Sequence, residues 1–361
     1  MVGLRNKIAQ MLIIGFSGYD INENSPVVRW LNTDGLGGVL LFDFDLPANQ
    51  QGKNLNDKAQ IRCLNQDLND YSALAGNALP LLIALDYEGG AVDRLSKVEG
   101  CMKTMKPCEQ AQLSDEALYN EAGRMATTLK DLGFNLNFAP VVDLNLNDQQ
   151  GIIGKLGRCF SSKPELVSHA AKLFVEAFNE QGIACAYKHF PGHGSAAGDT
   201  HEGFVDVTDT YQDSELLPYA ALSNTTLPVM VMTAHVINRN LDASGLPATL
   251  SYPILTGLLR EKLGFEGIII SDDLQMQAIS QHYSIDDALR LTINAGADMV
   301  IFGNQLGNIS ATDVVDRIEQ LVNSGAIEHA RIDEAYQRIL FLKRNCSPIR
   351  ARARPWARAR R

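Results

Sequence analysis

Eight short apolar runs punctuate the chain: Met11–Ile14, Gly38–Phe42, Leu81–Leu85, Phe134–Ala139, Ala184–Tyr187, Val229–Met232, Gly267–Ile270 and Met299–Phe302. Each has the length of a strand buried inside a parallel sheet. The segments between them carry helical periodicity. Asp115–Leu132 sets Leu118, Ala122, Met125, Leu129 and Leu132 on one face, and Glu165–Gln181 does the same with Val167, Ala170, Ala171, Phe174 and Phe178. Pro253–Leu263 and Ile285–Ala295 read likewise. Strand followed by helix, eight times over, predicts an α/β fold of the (β/α)8 TIM-barrel type, one domain over residues 1–345. A doubly wound sheet would carry a Gly-rich phosphate turn after an early strand, and the sequence has none. The stretches Gly15–Asn24 and Asn49–Lys58 read as loop or short-helix insertions. No repeat of fixed period and no Pro/Ser linker divides the chain.

Composition narrows the function class. The chain has 361 residues, 45% hydrophobic and 20% charged, enough for a large core without staples. Net charge is −10, and six arginines without an acid in residues 350–361 mean that residues 1–349 carry −16. That balance argues against a nucleic-acid partner. The Arg-rich end, residues 346–361, is low in complexity and is expected to be a disordered basic tail. No apolar run reaches the ~18–20 residues of a membrane span, and Met11–Phe16 is too short for a signal-peptide core. A cytoplasmic monomer is therefore expected, or a periplasmic one if a signal was trimmed. The six cysteines show no metal spacing, so reduced thiols are expected; Cys101 and Cys108 are the pair that an oxidising compartment could close.

Chemistry concentrates where barrel enzymes work, at the C-terminal ends of the strands. Five of the eight apolar runs lead into charged or imidazole groups: Asp86-Tyr-Glu-Gly-Gly90, Asp143, Lys188-His189, Thr233-Ala-His235 and Ser271-Asp272-Asp273. Polar loops alone would supply mainly Gly, Ser, Asn and Lys. The richest segment, Lys188 to His201, holds three His, three Gly, one Lys and one Asp within fourteen residues. Asp199 lies two residues before His201, a spacing at which a turn lets the carboxylate orient the ring and raise its basicity, as a general acid/base requires. His189, His193, Asp199 and His201 could also ligate a divalent ion, but Pro191 and Gly192 remove the helical face that makes such ligation efficient. Side chains alternate along a strand, so one of Asp272 and Asp273 is expected to face the axis and the other to cap the following helix. Asp143 and His235 are equally readable as structural groups at the barrel rim.

Lys188-His-Phe-Pro-Gly-His-Gly194, Asp199-Thr-His201 and Ile270-Ser-Asp-Asp-Leu-Gln-Met276 together resemble the single-domain β-N-acetylhexosaminidases of glycoside hydrolase family 3. The resemblance runs from about residue 8 to 343. It takes in Gln10-Met-Leu12, Asp86-Tyr-Glu-Gly-Gly90, Phe138-Ala-Pro-Val-Val-Asp143, Gly157-Arg-Cys-Phe-Ser161, Met232-Thr-Ala-His235, Pro247-Ala-Thr-Leu-Ser251 and Gly296-Ala-Asp298. It implies a retaining glycosidase that removes terminal β-linked N-acetylglucosamine, from peptidoglycan fragments in cell-wall recycling. Asp272 would be the nucleophile and the Asp199–His201 pair the acid/base. Asp86, Arg158, Lys188 and His189 would hold the sugar hydroxyls. No cofactor or metal is implied, and the partner is a small saccharide.

The sequence also departs from the family pattern. Ala91 stands where Arg is common, Tyr87 where Gln is, and Cys159 and Thr200 where Ser is usual. Arg94 lies close to Ala91 along the chain. A β-glucosidase, β-xylosidase or phosphorylase of the same family is the neighbouring reading, and a sugar-binding protein without catalysis is the reading from another class.

Overall fold

The computed structural model describes residues 2–198 and 203–345. Every one of the eight apolar runs forms a strand, and the strands close into a barrel. They are Leu12–Gly15 (β1), Gly38–Leu40 (β2), Leu82–Leu85 (β3), Leu136–Asn137 (β4), Ala184–Phe190 (β5), Val229–Thr233 (β6), Ile268–Asp273 (β7) and Met299–Phe302 (β8). Spatial order follows sequence order, all neighbours are parallel, and Leu12 opposite Val300 closes the ring. This is the predicted (β/α)8 barrel.

The strand ends differ from the apolar runs in an informative way. β5 and β7 run past their apolar stretches into Lys188–Phe190 and Ser271–Asp273. Polar side chains continue the ladder there because the cavity above the barrel receives them. β4 is only two residues long, and the side chains of Asn135 and Asn137 add hydrogen bonds to the neighbouring segment beside the backbone ladder. Asn135 accepts from Ile83 N at 2.8 Å and donates to Leu81 O at 2.8 Å, and Asn137 does the same to both backbone groups of Tyr87 at 3.0 Å. Close approach shapes the ring as well: a Cβ on Gly15 would lie 2.0 Å from the carbonyl oxygen of Gly303, so β1 and β8 meet there only with glycine.

The helices form where the periodicity puts them. Asp115–Leu132 begins at Ser114, whose side chain accepts from Ala117 N, and stops at Gly133 with φ 88°. Ile285–Ala295 is built alike between Ser284 and Gly296. Each such cap is worth ~1 kcal/mol. Pro253–Lys262 departs from the expected α-helix: it winds as a wider helix, ending with Leu263 N–H on Leu258 O, five residues back. The apolar helix faces and the strands merge into one continuous core.

Below the barrel, Asp298 is fully buried at the start of β8, where Arg260, Arg331 and Arg338 converge on it and Ile269 N–H donates to it. The insertion around Asn49–Lys58 contributes a strand rather than only loop: Phe44–Asp45 pairs antiparallel with Gln50–Gln51, turning at Asn49 with φ 50°. Cys101 and Cys108 are free thiols. Among the described residues no helix is long and apolar enough to cross a membrane. Residues 346–361 lie outside the described residues.

Candidate active site

A cavity of about 260 Å³ opens above the C-terminal ends of the strands. It brings together five residues singled out from sequence, Asp86, Arg158, Lys188, His189 and Asp272. Two others, Asp199 and His201, lie outside the described residues. The nearest described positions are Gly198 and Gly203.

The floor is an ionic cluster organised by Glu88, which sequence reasoning quoted but gave no role. Glu88 is 1% exposed. Arg158 grips it with Nε at 2.9 Å and Nη2 at 2.7 Å, and Lys188 Nζ stands 2.7 Å from Glu88 and 3.0 Å from Asp86. Burial alone would push the Glu88 carboxyl up, yet the two cations outweigh it and hold the group well below the usual carboxylate range. The same balance works on Lys188. Burial would lower the ammonium, but Asp86 and Glu88 keep it above its ordinary value. Period-two alternation was the available signal: Asp86 and Glu88 share one face of their segment, while Tyr87 points into the core.

His189 is oriented from behind. Its Nδ1 lies 2.8 Å from Asp143 Oδ2, and a carboxylate only accepts, so Nδ1 carries the proton. Nε2 is then the acceptor in the neutral ring. Asp143 also accepts from the backbone N–H groups of His189 at 3.1 Å and His193 at 2.9 Å. It is thus a buried support for the turn between those residues. Burial would raise its carboxyl, but His189 holds it below the ordinary value. His193 lines the cavity beside His189 at a ring separation of 5.9 Å, and among the described residues its buried Nδ1 has no hydrogen-bond partner. Burial, reinforced by His189, pushes His193 down to about 4, so this ring is neutral at pH 7. Further along, Glu215 accepts from Gly194 N–H at 3.0 Å and Ser195 N–H at 3.4 Å, anchoring the root of the segment that leads to Asp199.

Asp272 and Asp273 both line the cavity, contrary to the expectation that one would cap a helix. The register between β7 and β8 shifts between Ile270 and Asp273, which breaks the strict alternation on which that expectation rested. The next helix starts at Gln277, and Asp273 instead accepts from Gln275 N–H at 2.9 Å within the turn. The β7 tip is held by a chain of hydroxyls. Asp272 N–H donates to Thr233 Oγ1 at 3.4 Å, Thr233 meets Thr249 at 2.7 Å, and Thr249 meets His235 Nδ1 at 2.7 Å. His235 Nε2 donates to Asp273 O at 2.9 Å. His235 is therefore a structural clamp on the strand that carries both acids.

Ala91 leaves no gap in cationic character. Arg94 lines the cavity, with Nη1 3.3 Å from Asp43 and Nη2 3.6 Å from Asp86. Cys159 is buried, and its thiol is pushed up to about 12 by that burial. Among the described residues no three His, Cys, Asp or Glu side chains gather into a metal-holding group.

Comparison with known proteins agrees with this architecture. The model of the glycosyl hydrolase family 3 N-terminal domain matches residues 3–342. A beta-hexosaminidase A of Pseudoalteromonas piscicida is 35% identical over 288 residues, 74% of this chain and 45% of that protein. A beta-hexosaminidase of Alkalilimnicola ehrlichii is 36% identical over 280 residues, 74% of each chain. A solved glycoside hydrolase family 3 beta-N-acetylglucosaminidase from a Paenibacillus species superposes with a TM-score of 0.86 at 30% identity, covering 98% of this chain and 64% of the other. The chain thus spans less than half of the first relative and just under two thirds of the solved structure. With its barrel, its strand-end cavity and a family match along nearly its whole length, this chain belongs to glycosyl hydrolase family 3.

Proposed function

We propose that this chain hydrolyses terminal β-linked N-acetylglucosamine, acting on peptidoglycan fragments, with retention of anomeric configuration. The observation that carries the reading is the pairing, within one small cavity, of a charge-balanced floor with the Asp272 carboxylate. Asp86 and Glu88 offset Lys188 and Arg158, so the floor suits a neutral polyol rather than an ion. Lys188 has three N–H groups, of which Asp86 and Glu88 engage two, and Arg158 Nη1 stands outside the Glu88 fork. These donors, with Asp86 and His189 Nε2 as acceptors, match the alternating hydroxyls of a pyranose. The relatives named beta-hexosaminidase support the choice of sugar.

In this mechanism Asp272 attacks the anomeric carbon and expels the leaving oxygen, which His201 protonates while Asp199 orients the ring. Water, deprotonated by His201, then attacks the covalent glycosyl-enzyme and frees Asp272. As an imidazolium in the first step and a neutral imidazole in the second, His201 never sets a second negative charge beside Asp272. A nitrophenyl-glycoside panel tests the sugar: release from the N-acetylglucosaminide should exceed release from the glucoside and xyloside, and the reverse order overturns the assignment. A slow fluorinated N-acetylglucosamine probe that keeps the 2-acetamido group, followed by peptide mapping, tests the nucleophile, with Asp272 as the expected label. Phosphate-dependent formation of a sugar 1-phosphate would make the chain a phosphorylase instead.

A further inference from the structure

The cavity changes character from floor to mouth. Glu88 and Lys188 are 1% and 2% exposed, whereas Leu46 and Leu306, lining the same cavity, are 49% and 42% exposed. Phe44 lies between these extremes on the hairpin strand Phe44–Asp45, just before the stretch Asn49–Lys58 that the sequence marked as an insertion. The hairpin is fixed rather than loosely hinged. Leu46 N–H donates to Gln305 Oε1 at 3.0 Å, and Gln305 Nε2 donates to Phe44 O at 2.7 Å. One side chain thereby locks Phe44 and Leu46 beside Leu306, its own neighbour in sequence. The cations near this lip are turned inward: Lys53 bonds the carbonyl of Asn304, and Arg94 faces Asp43 and Asp86.

Large apolar side chains exposed singly need no explanation, but two together at the rim of one cavity do. At about 260 Å³ the cavity is smaller than the roughly 300–1,000 Å³ of sites that enclose drug-sized ligands, so it houses about one sugar ring. The remainder of any substrate meets the mouth. We propose that Phe44, Leu46 and Leu306 form a leaving-group subsite that packs against apolar groups of the aglycone. This rests on the reading that a single terminal sugar occupies the ionic floor. It deepens that reading: on a peptidoglycan fragment the lip would meet the apolar groups of the leaving portion.

The test compares methyl and hexyl β-N-acetylglucosaminides, whose alkoxide leaving groups have nearly equal basicity and so need equal protonation. The hexyl compound should have a kcat/KM about tenfold higher or more, from methylenes covered at the lip. In the double variant Leu46→Ser, Leu306→Ser that ratio should fall to about one, whereas Leu46→Met, Leu306→Met should retain it. A wild-type ratio near one, or a ratio that survives in the serine variant, overturns the proposal. Calorimetric binding of both compounds to Asp272→Asn should carry the same preference without turnover. If the corresponding glucosides are cleaved and the N-acetylglucosaminides are not, the sugar assignment fails, and the hexyl-to-methyl ratio on glucosides still decides the lip.

Discussion

Glu88 offers the sharpest test of how the site is held together. In Glu88→Gln the side chain keeps its shape and loses its charge. Each cation stands 2.7 Å from Oε1. At an effective dielectric near 20 that distance corresponds to ~6 kcal/mol of attraction per cation. Much of this is offset, because the native carboxylate loses its hydration and the amide retains some hydrogen bonding. Lys188 also keeps Asp86 at 3.0 Å. The expected net loss is ~3–5 kcal/mol, the usual result of stripping one partner from a buried ion cluster. Urea unfolding at pH 7 reads it directly, and KM for the nitrophenyl N-acetylglucosaminide should rise because Lys188 and Arg158 lose their fixed positions. The pH dependence has a definite sign. Glu88 is held well below the usual carboxylate range in the folded chain. Its contribution is therefore complete above the unfolded carboxyl's ~4.3 and is lost as pH falls below that. The stability gap between wild type and variant should narrow below about pH 4. A loss under ~1 kcal/mol with unchanged kcat/KM, or a gap that stays constant down to pH 3, refutes the cluster as described.

Three further outcomes are expected. His201→Ala should lower kcat/KM by ~10²–10⁴-fold on a substrate with a poor leaving group and far less on an activated nitrophenyl glycoside; equal losses on both contradict the acid role. His193, pushed down to about 4 from 6.5, refuses a proton that the unfolded chain accepts between those values, so stability falls as pH drops through that window, by up to about 3 kcal/mol. His193→Asn should flatten this slope in urea midpoints measured from pH 7 to 4. Asp298→Asn, far from the cavity, should cost ~3–5 kcal/mol in unfolding because Arg260 and Arg331 lose a buried partner, while KM stays within error; unchanged stability would show that the cluster is not a structural hub.

Local patterns already specified the barrel. Eight apolar runs spaced by helical stretches, with Ser114 and Ser284 as starts and Gly133 and Gly296 as stops, leave few ways to bury every apolar face. Those signals act within a turn or a strand, so they are written in neighbouring residues. The strand-end chemistry was legible for the same reason, since the C-terminal end of each apolar run marks the catalytic face. Partnership across the ring was not legible. Glu88 meets Arg158 seventy residues away, and Gln305 clamps a hairpin 259 residues upstream. The direction of Asp273 turned on a one-residue register shift that no pattern announces. Periodicity dictates which face a side chain takes on its own element, whereas burial, ion pairing and the proton positions that follow arise only once closure of the barrel brings distant strand ends within a few ångströms of each other.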